Sequence, residues 1–93
     1  SKKEELRIEK FIELLESMEI YLEEGNINNA KRDYLNAKAH YEWILEHETN
    51  FSIKKTMYSD LKDKYRLLEK RVRKTKENST VHQRQSHRWL YAS

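Results

Sequence analysis

One glycine, Gly25, and no proline in 93 residues leave the chain almost without the residues that make tight turns. An all-β or α/β chain of this length needs several such turns, so the expected class is all-α. A composition of 38% charged and 37% hydrophobic residues points the same way. The length allows one domain at most, and a chain this short buries only a little over ~60% of its unfolded surface, which leaves few side chains to line a catalytic cavity. Cysteine is absent, which removes disulfides, thiolate catalysis and Cys-based zinc sites and leaves the redox compartment open. No apolar run approaches the roughly 18 residues of a bilayer span, and Ser1-Lys2-Lys3-Glu4-Glu5 lacks the apolar centre of a signal peptide. The expectation is a soluble, cytoplasmic protein. A chain that opens on Ser1 rather than Met reads as a processed product or a domain excised from a longer one.

The apolar residues fall into three helical stretches. From Glu5 to Glu24, the residues Ile8, Phe11, Leu15, Met18 and Leu22 recur at alternating three- and four-residue steps, with Ile12, Leu14 and Tyr21 widening the stripe. This helix should stop at Gly25, which alone enters the left-handed conformation of a helix C-cap without steric strain. Asn28 or Asn26 then caps a second helix, whose stripe is Ala30, Tyr34, Ala37, Tyr41 and Ile44. A neighbouring line of Leu35, Ala39 and Trp43 gives this helix a second apolar face, as expected of an element packed between two others. Its seam ends near His47, and Ser52 or Asn50 caps a third helix running from about Ile53 to Lys76, with Ile53, Met57, Leu61, Tyr65, Leu68 and Val72 inward and Tyr58 beside them. Short connections force sequential helices to lie antiparallel, which predicts an up-down-up three-helix bundle over residues 1–77.

The net charge of +3 is unevenly spread. Residues 1–69 carry twelve Lys/Arg against fifteen Asp/Glu, net −3, whereas residues 70–93 carry seven (Lys70, Arg71, Arg73, Lys74, Lys76, Arg84, Arg88) against Glu77 alone, net +6. Cations near a helix end complement the negative pole of its dipole, and a cluster of them also fits an acidic partner, phosphate or anionic lipid. Residues 78–93 are polar and aperiodic up to Trp89-Leu90-Tyr91 and read as a flexible C-terminal tail. The aromatic end is a short linear motif, a clasp that folds back onto the bundle, or an appended remnant.

Side chains that carry chemistry are few, and their spacing is structural. His40 and His47 are two turns apart, roughly 10 Å along a helix, too far to share one ion at ~2 Å ligand distances. His82 and His87 sit in the tail. Neither Glu42 with Glu46 nor Glu19 with Glu23 is accompanied by the Glu-x-x-His pattern of a carboxylate di-metal site. One glycine cannot build a phosphate-cradling loop. No catalytic residue, metal ligand or cofactor is therefore assigned, and the chain is not expected to be an enzyme. Tyr34, Tyr41 and Tyr65 fall on inward stripes, where a ring buries area while its hydroxyl reaches the edge. Tyr58 and Trp43 are expected to flank a groove between the second and third helices.

The stretch Gly25-Asn26-Ile27-Asn28-Asn29-Ala30-Lys31-Arg32-Asp33-Tyr34-Leu35-Asn36-Ala37, with Tyr21 before it, resembles the turn and second helix of a tetratricopeptide repeat: a Gly, then an Ala, an aromatic and another Ala at the repeat's spacings. Ser17 and Met18 depart from the Leu and Gly usual in the repeat's first helix, no proline closes the second, and no further copy follows at a 34-residue offset. Asp60-Leu61-Lys62-Asp63-Lys64-Tyr65-Arg66-Leu67-Leu68-Glu69-Lys70-Arg71 resembles the last helix of MIT domains, three-helix modules that recruit ATPases and other factors to membrane-remodelling filaments and share this hairpin signature. Either resemblance implies a peptide-binding groove between helices and no catalysis. The favoured function is a protein–protein interaction module, with Trp43, Tyr58, Tyr65, Trp89, Leu90 and Tyr91 as partner-binding candidates. The alternatives are nucleic-acid or anionic-membrane contact through the basic residues, and self-association through the tail. The basic stretch has no aromatic between Tyr65 and Trp89 to stack on bases, which counts against nucleic acid.

Overall fold

In the computed structural model, which describes the backbone of residues 1–92 and the side chains of residues 1–75, three helices follow one another: α1 (Lys2–Glu23), α2 (Ile27–His47) and α3 (Phe51–Ala92). They form an up-down-up three-helix bundle, in which α1 and α2 make the closest hairpin and α3 packs along both.

The first connection is set by Gly25 and Asn26. Gly25 adopts φ +79°, the left-handed value expected of it. Its N–H donates to Leu22 O (3.1 Å), while the Asn26 N–H donates to Tyr21 O (2.8 Å), the paired bonds that satisfy the last carbonyls of a helix ended this way. Asn26 also opens α2, its Oδ1 accepting from the Asn29 N–H at 3.2 Å. One asparagine thus closes one helix and starts the next. At the second connection the structure selects Asn50 over Ser52. Its Oδ1 accepts from the N–H groups of Ser52 (3.0 Å) and Ile53 (3.4 Å), and its own N–H donates to Glu48 Oε1 at 2.9 Å. That bond is the main cause holding the Glu48 carboxyl below its ordinary pKa.

The core is built from Phe11, Leu15, Met18 and Leu22 of α1, from Ala30, Ala37 and Ile44 of α2, and from Met57, Leu61 and Leu68 of α3. Ile8, Tyr34, Tyr41, Ile53 and Val72 border it. The two alanines are fully buried, which lets the α1 and α2 backbones approach.

The expected second apolar face of α2 is not formed: Leu35 is 61% exposed and Ala39 is exposed. In a triangle of helices the two contact faces of each are adjacent rather than opposite. Rotation by one residue (100°) from Ala37 and Ile44 reaches Lys38 and Leu45 at the α3 seam, whereas the Leu35–Ala39 line points away from both neighbours. Tyr65 is likewise less buried than its stripe predicted, at 47% exposure. Asp33 is the reverse case, a charged residue on the α1-facing seam that is only 7% exposed and whose Oδ2 has no hydrogen-bond partner.

The third helix runs past the end expected at Lys76. No glycine or proline after Gly25 interrupts it. The side chains of Lys76 and of the expected flexible tail over residues 78–93, with Arg84, Arg88 and Trp89-Leu90-Tyr91, lie outside those described.

Candidate functional site

Between α2 and α3 runs a groove of about 380 Å³ whose walls are tyrosines. Tyr34 and Tyr41 stand seven residues apart on α2, and Tyr58 and Tyr65 seven apart on α3. Because the two helices are antiparallel, Tyr34 meets Tyr65 and Tyr41 meets Tyr58. The ring centroids are 5.5 Å apart at 48° in the first pair and 6.3 Å apart at 40° in the second, tilted contacts in the favourable range for aromatic pairs. The α2 rings are half-buried, but Tyr58 is 53% exposed, so it and Tyr65 present ring surface to solvent.

Leu61 lies under these rings, and Leu45 adds apolar surface at one end. The rim is charged: Lys38 and Glu42 on α2, and Lys62 on α3 with its Nζ 5.9 Å from the Tyr58 ring centroid. Burial, then the neighbouring Tyr65, raises the Tyr34 pKa, and burial followed by Tyr58 does the same for Tyr41. Both phenols are therefore protonated at neutral pH. The arrangement holds no nucleophile beside a base. Among the described residues there is also no group of three or more His, Cys, Asp or Glu placed to hold a metal. Apolar faces edged with hydroxyls and mixed charge are suited to recognising a side chain or a short segment of chain.

Of the residues singled out from the sequence, Tyr58 and Tyr65 line this groove and Trp43 does not. Trp43 faces α1, with the Arg7 guanidinium carbon 4.9 Å from its ring centroid and the His47 ring stacked on it at 3.9 Å and 8°. Position 43 lies 180° around α2 from Tyr41 plus a further turn of 20°, which puts it on the flank of the helix away from α3. His47 Nδ1 is 2.8 Å from Trp43 O, and Arg7 Nη1 is 3.3 Å from His40 Nδ1. Since the guanidinium only donates, His40 accepts there and must be neutral. Burial, then Arg7 and Lys10, lowers its pKa accordingly. Both helical histidines are thus engaged within the α1–α2 hairpin.

Lys70, Arg71, Arg73 and Lys74 are exposed, and at 100° per residue their positions fall within a sector of about 160°, on the side of α3 away from Leu68 and Val72. Arg73 is held by Glu69, Nη2 to Oε1 at 3.0 Å. Lys76, Arg84, Arg88, Trp89, Leu90 and Tyr91 have no described side chains.

The sequence reading missed a second groove, of about 370 Å³, between α1 and α3. Ile8, Phe11, Ile12, Ile53 and Met57 make it apolar, and Asp60 stands at its edge. Farther along the same seam Lys64 pairs with Glu19. The available signal was Ile12, one step outside the main stripe of α1 and 48% exposed.

No family model matches the chain, and no curated protein or solved structure does. Among the described residues, no helix is long and apolar enough to cross a membrane.

Proposed function

We propose that the chain is a non-catalytic helical interaction module that binds a partner peptide or helix in the α2–α3 groove. The observation that carries this reading is the pair of tilted tyrosine contacts in which Tyr58 and Tyr65 leave about half their surface exposed over an apolar floor. Tyrosine is among the residues that most often dominate binding energy, because its ring supplies contact area at little entropic cost. The resemblance of the hairpin to tetratricopeptide and MIT modules supports the same reading. Its small positions Ala30 and Ala37 pack closely, as such a hairpin requires, and Gly25 makes its turn.

Selection from a random peptide library, with binders mapped by amide chemical shifts, tests the reading. Selected peptides should perturb residues 34–45 and 58–65, and Tyr58→Ala with Tyr65→Ala should weaken them at least ~30-fold, the effect of losing about 2 kcal/mol at a binding hot spot. Peptides that bind the double variant as tightly as the wild type would refute it. Trp43 fluorescence should stay unchanged on binding, because the indole faces the other seam.

A further inference from the structure

We propose that the α1–α3 groove is the docking site for residues 84–91 of a second copy of this chain, so that two copies associate by exchanging their basic ends. The groove has an apolar floor and acidic sides. Glu5, Glu9 and Glu16 are exposed and lie seven and three residues before and four after Ile12, on the same flank of α1. On α3, Asp60 lines the groove and Asp63 follows at the next helix-neighbour position, also exposed. Among the described residues at helix-neighbour spacing from Ile12 and Asp60, the one cation is Lys64, and Glu19 engages it at the groove's far end. Five carboxylates thus border an apolar floor formed by Ile8, Ile12, Ile53 and Met57, and a fitting occupant is cationic with large apolar side chains.

The chain carries such a segment. Residues 78–93 contain no Asp or Glu, and Arg84 and Arg88 precede Trp89-Leu90-Tyr91. The folded part is net −3 and residues 70–93 are net +6, so two copies attract each other end to body. The geometry assigns the segment to another copy. It lies on α3 itself, with Trp89 thirty-two residues beyond Met57, roughly 48 Å along a helix at 1.5 Å per residue, so a continuous helix carries it away from its own groove. A reciprocal exchange gives a closed two-fold pair and satisfies both grooves. An acidic groove does not attract nucleic acid or anionic lipid.

Sedimentation velocity on the full chain from about 10 µM to 1 mM tests the proposal. At about 50 mM salt the mass should double with concentration, and raising the salt to about 0.5 M, where charges are screened beyond a few ångströms, should weaken the dimer at least tenfold. Arg84→Glu with Arg88→Glu should abolish association, as should Asp60→Lys with Asp63→Lys, while all four in one chain should restore it. These sites are on the surface, and unchanged helical content by circular dichroism checks that each variant folds. Trp89→Ala should also give a monomer. In a mixture of isotope-labelled chains with chains spin-labelled at position 90, broadening should appear at Ile12 and Ile53 of the labelled copies. A monomer at every concentration, a dimer that persists when either charge reversal is made alone, or labelled copies without broadening at Ile12 and Ile53 would each overturn the proposal.

Discussion

Replacing Gly25 by the two mirror forms of alanine separates backbone conformation from packing. A Cβ built at Gly25 meets no atom within 4 Å, so Gly25→Ala causes no collision and its effect is conformational. At φ +79° an L-residue is strained by about 1–2 kcal/mol, and the smaller conformational freedom of alanine in the unfolded chain offsets about 0.4–1 of this. The net loss is about 0–1.6 kcal/mol. For a domain of this size, about 4–8 °C of Tm accompanies each kcal/mol, so Gly25→Ala should lower Tm by up to roughly 13 °C. D-alanine has the mirrored preference, keeps the unfolded-state gain without the strain, and should raise Tm by roughly 2–8 °C. Gly25→Asn should fall between Gly25→Ala and the wild type, because asparagine tolerates the left-handed region. Chemical synthesis from ligated segments supplies the D-variant, and thermal unfolding followed by far-UV circular dichroism ranks the series. Equal melting temperatures for the L- and D-alanine forms would show that the sign of φ does not limit this turn, and the reasoning would fail.

Four further outcomes follow. Met18 is fully buried among α1 and its neighbours, and Met18→Ala should cost about 2–5 kcal/mol in a denaturant titration, against well under 1 kcal/mol for a conservative change at the exposed Leu35. Asp33→Ala should raise stability by about 1–3 kcal/mol, since it removes a buried carboxylate oxygen without a partner and improves helix propensity; a loss of stability would show that the carboxylate has a favourable partner. The lowered His40 pKa means that the unfolded chain takes up a proton more readily than the folded one. Its contribution is full above the unfolded value of 6.5 and declines as pH falls below that, and His40→Gln should flatten that part of a stability–pH curve. For Glu48, also lowered, the contribution is present above the ordinary carboxylate pKa of 4.5 and is lost on acidification below it, so Glu48→Gln should remove the corresponding slope at acid pH.

What could be read in advance was whatever is fixed within a few residues. Gly25 as a helix stop, Asn26 among the caps, and the stripes of Phe11–Leu22 and Met57–Leu68 all depend on local spacing and backbone preference. The failures concern how helices are arranged around one another. The Leu35–Ala39 line looked apolar enough to pack, but periodicity gives the angle between faces and not which angle a neighbour occupies. Trp43 was placed on the wrong seam for the same reason. Tyr58 and Tyr65 line the groove, yet their pairing with Tyr41 and Tyr34 required the antiparallel register. Asp33 gave no local signal, because nothing in its immediate sequence distinguishes a buried carboxylate from a solvated one.

The double duty of Asn26 has a consequence for how the molecule can be altered. Its N–H completes the end of α1 while its side chain begins α2, so an extra residue inserted on either side would divide the two tasks between positions that can no longer both be met. The hairpin is therefore intolerant of length variation at Glu24–Asn26, and grafted epitopes belong instead at Glu48–Asn50, where an insertion gives up the bond from the Asn50 N–H to Glu48 but leaves the cap of α3 to the Asn50 side chain.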